Sequence, residues 1–137
     1  MPQLTYTQNF TASLHDIDAA GVMFFAHYFR HAHDVYEAFM ASIDQGLPES
    51  IRQHRLLPLV HSEADFLRPV RHGDRLQVSL QLERIGNSSF TVSYRFINAQ
   101  KEEVARLKST HVLLDPERHS PMNLPEALRL RLTEYAV

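Results

Sequence analysis

The chain has 137 residues, 44% of them hydrophobic, enough for one compact domain, because a domain of roughly 150 residues hides about 70% of its unfolded surface. Its 14 Lys and Arg against 16 Asp and Glu give a formal charge of −2, which argues against a general nucleic-acid binder but permits a local basic patch for a phosphorylated ligand. With no cysteine, disulfides, thiolate metal sites and a cysteine nucleophile are excluded.

The N-terminal stretch lacks a basic region followed by an apolar one. No apolar run approaches the roughly 18 residues of a membrane span, so the expectation is a soluble, cytoplasmic protein. Leu4, Tyr6, Phe10, Ala12 and Leu14 alternate with polar Thr5, Thr7, Asn9, Thr11 and Ser13, the period of a half-buried strand. An acidic turn, His15-Asp16-Ile17-Asp18-Ala19-Ala20-Gly21, then leads into an aromatic run. Phe25, Tyr28, Phe29, Ala32, Val35, Tyr36, Phe39 and Met40 recur at spacings of three and four, with Arg30, His31, Asp34 and Glu37 off that stripe. The spacing predicts one long amphipathic helix over about residues 23–43, ended by Gly46-Leu47-Pro48. Residues 48–53 read as a short helix or a turn, and Leu57 to Leu67 as a strand with Val60, Ala64 and Phe66 on one face.

Alternation is clearest in Leu76, Val78, Leu80 and Leu82 and again in Phe90, Val92, Tyr94 and Phe96, on either side of the Gly86-Asn87-Ser88 turn. A last strand runs from about Glu103 to Leu114, closed by Asp115-Pro116, and Leu124 to Leu132 reads as a short terminal helix. A strand, a long helix and four further strands give an α+β class with an antiparallel sheet, one face of which a single helix can cover. No linker or repeat interrupts the pattern, so residues 1–137 read as one domain.

Two carboxylates and a glycine just before a helix bring negative charge beside unpaired N–H donors, the layout of a hydrolytic site. Aspartate is also a frequent helix cap, the role that suits Asp16. His27, His31 and Asp34 share a helix face at i, i+4 and i+7, but no Glu follows the first His and no second histidine pair completes a site. They read as a solvated polar face, and neither a metal nor a redox cofactor is expected.

The Asp-x-Asp-x-x-Gly run formed by Asp16, Asp18 and Gly21 resembles the signature of the 4-hydroxybenzoyl-CoA thioesterase-like hotdog enzymes. The resemblance implies a five-stranded antiparallel sheet wrapped around one long helix, with the first two strands apart, and a homodimer or homotetramer whose sites lie between protomers. It also implies that Asp18 is the catalytic carboxylate, as nucleophile or as base to water, and that the backbone N–H of Phe25 meets the thioester oxygen, with Gly21 allowing the close backbone approach. Phe24 becomes a substrate-pocket candidate, although core packing is the expectation for the side chains of Phe24 and Phe25. The short-chain thioesterases of the Tol-Pal system carry a histidine where this chain has Phe25, which disfavours that branch.

Three stretches are similar to the 1,4-dihydroxy-2-naphthoyl-CoA thioesterases of quinone biosynthesis: Asp18 to Phe25; His33-Asp34-Val35-Tyr36-Glu37; and Leu57-Pro58-Leu59-Val60-His61 with Asp65-Phe66 and Gly73-Asp74-Arg75-Leu76. That likeness implies hydrolysis of an aromatic acyl-CoA to the free acid and coenzyme A. A broader acyl-CoA or acyl-carrier-protein thioesterase and a non-catalytic acyl-binding module stay open. His33 occupies the position where the 4-hydroxybenzoyl enzymes carry an aspartate, so an imidazole would meet the ring hydroxyl, and His61 is a second candidate against the acyl group. Coenzyme A enters as part of the substrate, not as a cofactor. Arg68, Arg71, His72, Arg75, Arg84 and Arg106 are available to its phosphates. The basic residues of the 4-hydroxybenzoyl enzymes are missing from the Gly86 turn, which leaves Ser88 and Ser89 as candidates there.

Overall fold

A computed structural model describes residues 3–137. The chain runs β1 (Tyr6–Thr11), a turn of 3-10 helix (Leu14–Asp16), α1 (Phe25–Ser42), α2 (Leu47–Arg52), β2 (Leu59–Phe66), β3 (Arg75–Ile85), β4 (Ser89–Asn98), β5 (Glu103–Val112) and α3 (Glu126–Thr133). The strands form one antiparallel sheet in the order β1-β3-β4-β5-β2. This is the sheet-around-helix architecture of the hotdog resemblance, with the first two strands at opposite edges.

Alternation explains why the sheet has one apolar face. Leu76, Val78, Leu80 and Leu82 of β3 and Phe90, Val92, Tyr94 and Phe96 of β4 all point to the side that α1 covers, each at most 2% exposed. The helix answers with Tyr28, Ala32, Val35, Tyr36, Phe39 and Met40, the i, i+3, i+4 stripe of its sequence. Phe24, with extended backbone, caps α1 at its start, and Asp44 takes the left-handed conformation (φ 63°) just past its end. At the far end of the sheet α3 buries Leu128 and Leu132, and the following chain pairs with β3 through Leu82 N–H to Tyr135 O at 3.0 Å.

The edge strand β2 departs from its expected pattern. Seven of its eight residues are exposed, with Ala64 alone half-buried. Leu59 stands opposite His111 and His61 opposite Thr110, so Val60 is an extra residue in the ladder. The extra residue shifts the parity of the strand, and Val60 drops out of the face it was expected to share with Ala64 and Phe66.

Candidate active site

The acidic turn is held from both ends. Asp16 is 1% exposed; its Oδ2 accepts the Ser13 N–H at 2.9 Å, and its Oδ1 is ion-paired with Arg30 and lies 3.1 Å from His31 Nε2. Burial works against the Asp16 anion, but the Ser13 N–H, His31 and Arg30 outweigh it and hold the carboxyl below its ordinary range. Burial pushes the His31 imidazole down, against the pull of Asp16, and its Nε2 meets both Asp16 Oδ1 at 3.1 Å and Arg30 Nη2 at 3.2 Å. Phe10 stacks on the imidazole with ring centroids 3.7 Å apart. The expected solvated face of His27, His31 and Asp34 is thereby corrected: Asp16 and Phe10 bury its middle member. Among the described residues no group of three or more His, Cys, Asp or Glu stands where it could hold a metal ion.

Two residues on, Asp18 sits in a different environment. It is half-buried, and only its Oδ1 is engaged, by the Ala20 N–H at 2.8 Å and the Val22 N–H at 3.4 Å. Its backbone closes the loop, with Gly21 N–H donating to Asp18 O at 3.0 Å and Asp18 N–H to Val22 O at 2.9 Å. Gly21 has φ +82° with open space where a Cβ would lie, so glycine is needed here for backbone conformation, not for room. Oδ2 accepts no hydrogen bond among the described residues.

The carbonyl of Asp16 accepts the Phe24 N–H at 2.9 Å, which seats the start of α1 against the acidic loop. Phe25 is the first residue of that helix. Its N–H takes no partner among the described residues, as geometry requires of a first-turn donor. A pocket of about 250 Å³ opens beside it, lined by Val22, Met23, Phe25, Tyr28, Phe66, Leu67, Arg68 and Pro69. Phe24 and Phe25 are 42% and 57% exposed with their rings 4.7 Å apart. Their expected core packing is overturned, because both precede the first residue of the helical stripe that reaches the sheet, Tyr28.

His33 is exposed, with its ring 5.6 Å from Tyr36. It stands eight residues past Phe25, about 12 Å along the axis at about 1.5 Å per residue, and edges a cleft shared with Phe29, Leu59, Tyr94 and Ser109. His61 is not brought there. It pairs with Thr110, whose hydroxyl meets Thr91 on the sheet face away from α1, and its Nε2 lies 3.2 Å from Glu63. Within this protomer that parity turns His61 away from the cleft at His33. Ser88 and Ser89 lie at the other end of β3, whose eleven residues span on the order of 30 Å at about 3.3 Å each. Arg129 of α3 donates to Gly86 O there at 2.8 Å, and Leu113 N–H donates to Ser88 O at 2.8 Å. Within one protomer neither serine approaches Asp18.

The family model for the thioesterase-like superfamily matches residues 12–132. The chain belongs to that superfamily. A 1,4-dihydroxy-2-naphthoyl-CoA hydrolase of Synechococcus elongatus is 37% identical over 116 residues, covering 83% of this chain and 85% of the relative. One from Nostoc punctiforme is 32% identical over 126 residues, covering 91% and 84%. The solved structure of a 1,4-dihydroxy-2-naphthoyl-CoA thioesterase from Synechocystis superposes with a TM-score of 0.88 at 29% identity, covering 94% of this chain and 96% of that one. Membership in the superfamily agrees with the acidic loop's layout, in which one aspartate is buried and its neighbour keeps an open oxygen in the loop that leads to a free helix N–H.

The sequence reading missed two features. One is the Asp16–Arg30–His31 cluster, for which the i, i+1 pair of Arg30 and His31 was no signal. The other is a polar chain of Tyr94, Ser109 and His111 in the sheet; Ser109 and His111 interrupt an otherwise apolar alternation on β5, and that interruption was legible.

Proposed function

We propose that this protein hydrolyses an aromatic acyl-CoA thioester, 1,4-dihydroxy-2-naphthoyl-CoA, to the free acid and coenzyme A. The observation that carries the reading is one acidic loop that leaves an Asp18 carboxylate oxygen open and, seated by the Phe24 N–H to Asp16 O bond, leads into the unpaired first N–H of α1 at Phe25, a residue that lines an apolar pocket. The thioester oxygen gains charge as the carbonyl carbon is attacked, and the Phe25 N–H at the positive end of α1 stabilises it. Asp18 Oδ2 either attacks that carbon, expelling the thiolate to leave an anhydride that water cleaves, or takes a proton from the water that attacks. Both routes use only the chain's own groups, so no bound cofactor is required. The relatives named above act on the same substrate class.

The working form is a dimer, or a tetramer of two such dimers, joined through β2. A long exposed edge strand with Leu59, Val60 and Phe66 half-exposed invites pairing with a second copy. Antiparallel pairing about a twofold axis would bring the Phe66 end of one protomer, beside Phe25, against the Leu59 end of its partner. Arg71, His72 and Arg75, in and beside the loop that Gly73 N–H ties to Ala12 O at 2.9 Å, are the cations for the coenzyme A phosphates. Arg68 and Arg106 are engaged with Glu102 and Glu103. Among the described residues no helix is long and apolar enough to cross a membrane, and the proposed place of action is the cytoplasm.

Steady-state hydrolysis of 1,4-dihydroxy-2-naphthoyl-, 4-hydroxybenzoyl-, benzoyl-, hexanoyl- and palmitoyl-CoA tests the reading. The naphthoyl thioester should have the highest kcat/KM. A winning aliphatic substrate would remove the aromatic assignment, and no turnover of any member would favour an acyl-binding module.

A further inference from the structure

Under α1, on the sheet face otherwise built from Leu, Val and Phe, three polar side chains are buried together. Tyr94 on β4 is 2% exposed, and Ser109 and His111 on β5 are 9% and 1% exposed. They form one chain: Tyr94 Oη lies 2.8 Å from Ser109 Oγ, which lies 3.0 Å from His111 Nε2. Apolar residues at these positions would pack without the desolvation cost of imperfectly paired polar groups, so stability alone does not call for this chain.

The chain is rigid. The His111 ring lies parallel to Tyr36, centroids 4.1 Å apart and planes 3° apart, with Phe90 at 5.5 Å. Burial pushes the imidazole down to about 4, with His33 acting in the same direction and the Leu57 backbone opposing; the ring is neutral near pH 7 and Nε2 is either donor or acceptor. Ser109 therefore has two partners whose donor and acceptor roles can both reverse, and its hydroxyl can give or take one further hydrogen bond without breaking the chain.

One side of that chain is open. Ser109 and Tyr94 form part of the wall of a cleft of about 60 Å³ shared with Phe29, His33, Leu59 and Ser62. That volume suits the edge of an aromatic ring and one substituent, not a whole bicyclic ring. The walls are largely apolar or aromatic, the polar groups are Ser109, Tyr94, Ser62, Lys108 and His33, and the cleft lies along α1 from its first residue, Phe25.

We propose that Ser109, held by Tyr94 and His111, is the specificity residue of this site and hydrogen-bonds a ring hydroxyl of the aromatic acyl group opposite His33. The inference rests on the acyl-CoA reading above and assigns a residue to the recognition of the acyl group's ring hydroxyl. A site built to hydrogen-bond a substrate hydroxyl discriminates strongly against the analogue without it, because the buried partners are then left unpaired. Tyr94 and His111 act through Ser109 and are positioning residues.

The test compares matched substrates, 1,4-dihydroxy-2-naphthoyl-CoA against 2-naphthoyl-CoA and 4-hydroxybenzoyl-CoA against benzoyl-CoA, in the wild type, Ser109→Ala and Ser109→Thr. The hydroxylated member of each pair should lead in kcat/KM by at least about tenfold in the wild type. Ser109→Ala should erase at least about tenfold of that lead in the ratio within each pair, and Ser109→Thr, which keeps the hydroxyl, should restore it. Equal losses on both members of a pair, or an unchanged ratio, would overturn the proposal while leaving the hydrolase reading intact. Calorimetry with free 1,4-dihydroxy-2-naphthoate and 2-naphthoate reads the same ratio without catalysis. If no thioester is hydrolysed but the hydroxylated acid binds better only when residue 109 carries a hydroxyl, the hydrolase reading fails and the Ser109 assignment stands.

Discussion

The two halves of the acidic loop, separated by a single residue, use the same side chain in opposite ways. Around Asp16 the carboxylate is buried and saturated by a backbone N–H, a guanidinium and an imidazole. Around Asp18 the carboxylate is half-buried and lightly held by two backbone N–H groups of its own turn, with one oxygen open in the loop that leads into the unpaired first N–H of α1. A buried carboxylate with both oxygens engaged is held for structure, because an attack or a proton transfer would first have to break its contacts with Ser13, Arg30 or His31. An underused one close to an oxyanion donor is equipped for chemistry.

The contrast can be broken most decisively at Asp18. Asp18→Asn should lower kcat by at least about a hundredfold, within the range a general acid–base group supplies. It should leave the unfolding free energy within about 0.5 kcal/mol, since the amide oxygen keeps the Ala20 and Val22 bonds. Steady-state kinetics together with urea denaturation reads both, and a matching loss of stability would make Asp18 a structural residue.

Asp16→Ala should do the reverse. The variant loses the Ser13, Arg30 and His31 contacts and should be destabilised on the order of 3 kcal/mol in urea, the scale of breaking a buried charged network. The surviving folded fraction should still hydrolyse thioesters. Complete inactivity of fully folded Asp16→Ala would erase the division of labour.

Acid should reveal the buried histidine. His111 is held neutral, from the ordinary 6.5 down to about 4, so between those values the unfolded chain binds the proton that the folded chain refuses. Stability is therefore full above about pH 6.5 and falls as pH drops toward 4. At about 1.4 kcal/mol per pH unit the loss approaches roughly 3 kcal/mol. Asp16 and His31, both shifted down, act in the same direction, Asp16 at still lower pH. Urea midpoints across pH 4–7 should show the slope, and His111→Gln should flatten it; an unchanged slope would assign the acid sensitivity to His31.

The smallest expected effect is at His61. It is exposed on the sheet face away from α1, so His61→Ala should leave kcat/KM within about twofold and stability within about 0.5 kcal/mol. A large rise in KM would bring that face into the substrate site, which a neighbouring protomer could achieve.

Much of the fold was legible because periodicity is local. Alternating Leu and Val in β3 and aromatic residues in β4 announced strands to within three residues of their observed limits, and Gly21 with two aspartates announced the turn. The hotdog resemblance added the strand order, which local pattern cannot carry. The site was legible only as far as the loop and the first helical residue. His61 and Phe24 were misread because a one-residue bulge and the first residue to reach the sheet decide which way those side chains point.

What the sequence determined by itself was each segment's type and the chemistry available in the acidic loop, since both follow from residue order over a few positions. Tertiary structure decided that Asp16 meets Arg30 and His31 fourteen and fifteen residues away, and that Tyr94 meets Ser109 across the β4–β5 ladder. Those pairings depend on strand register and on which helix face is buried. They are properties of packing between segments, and no single segment encodes its partner.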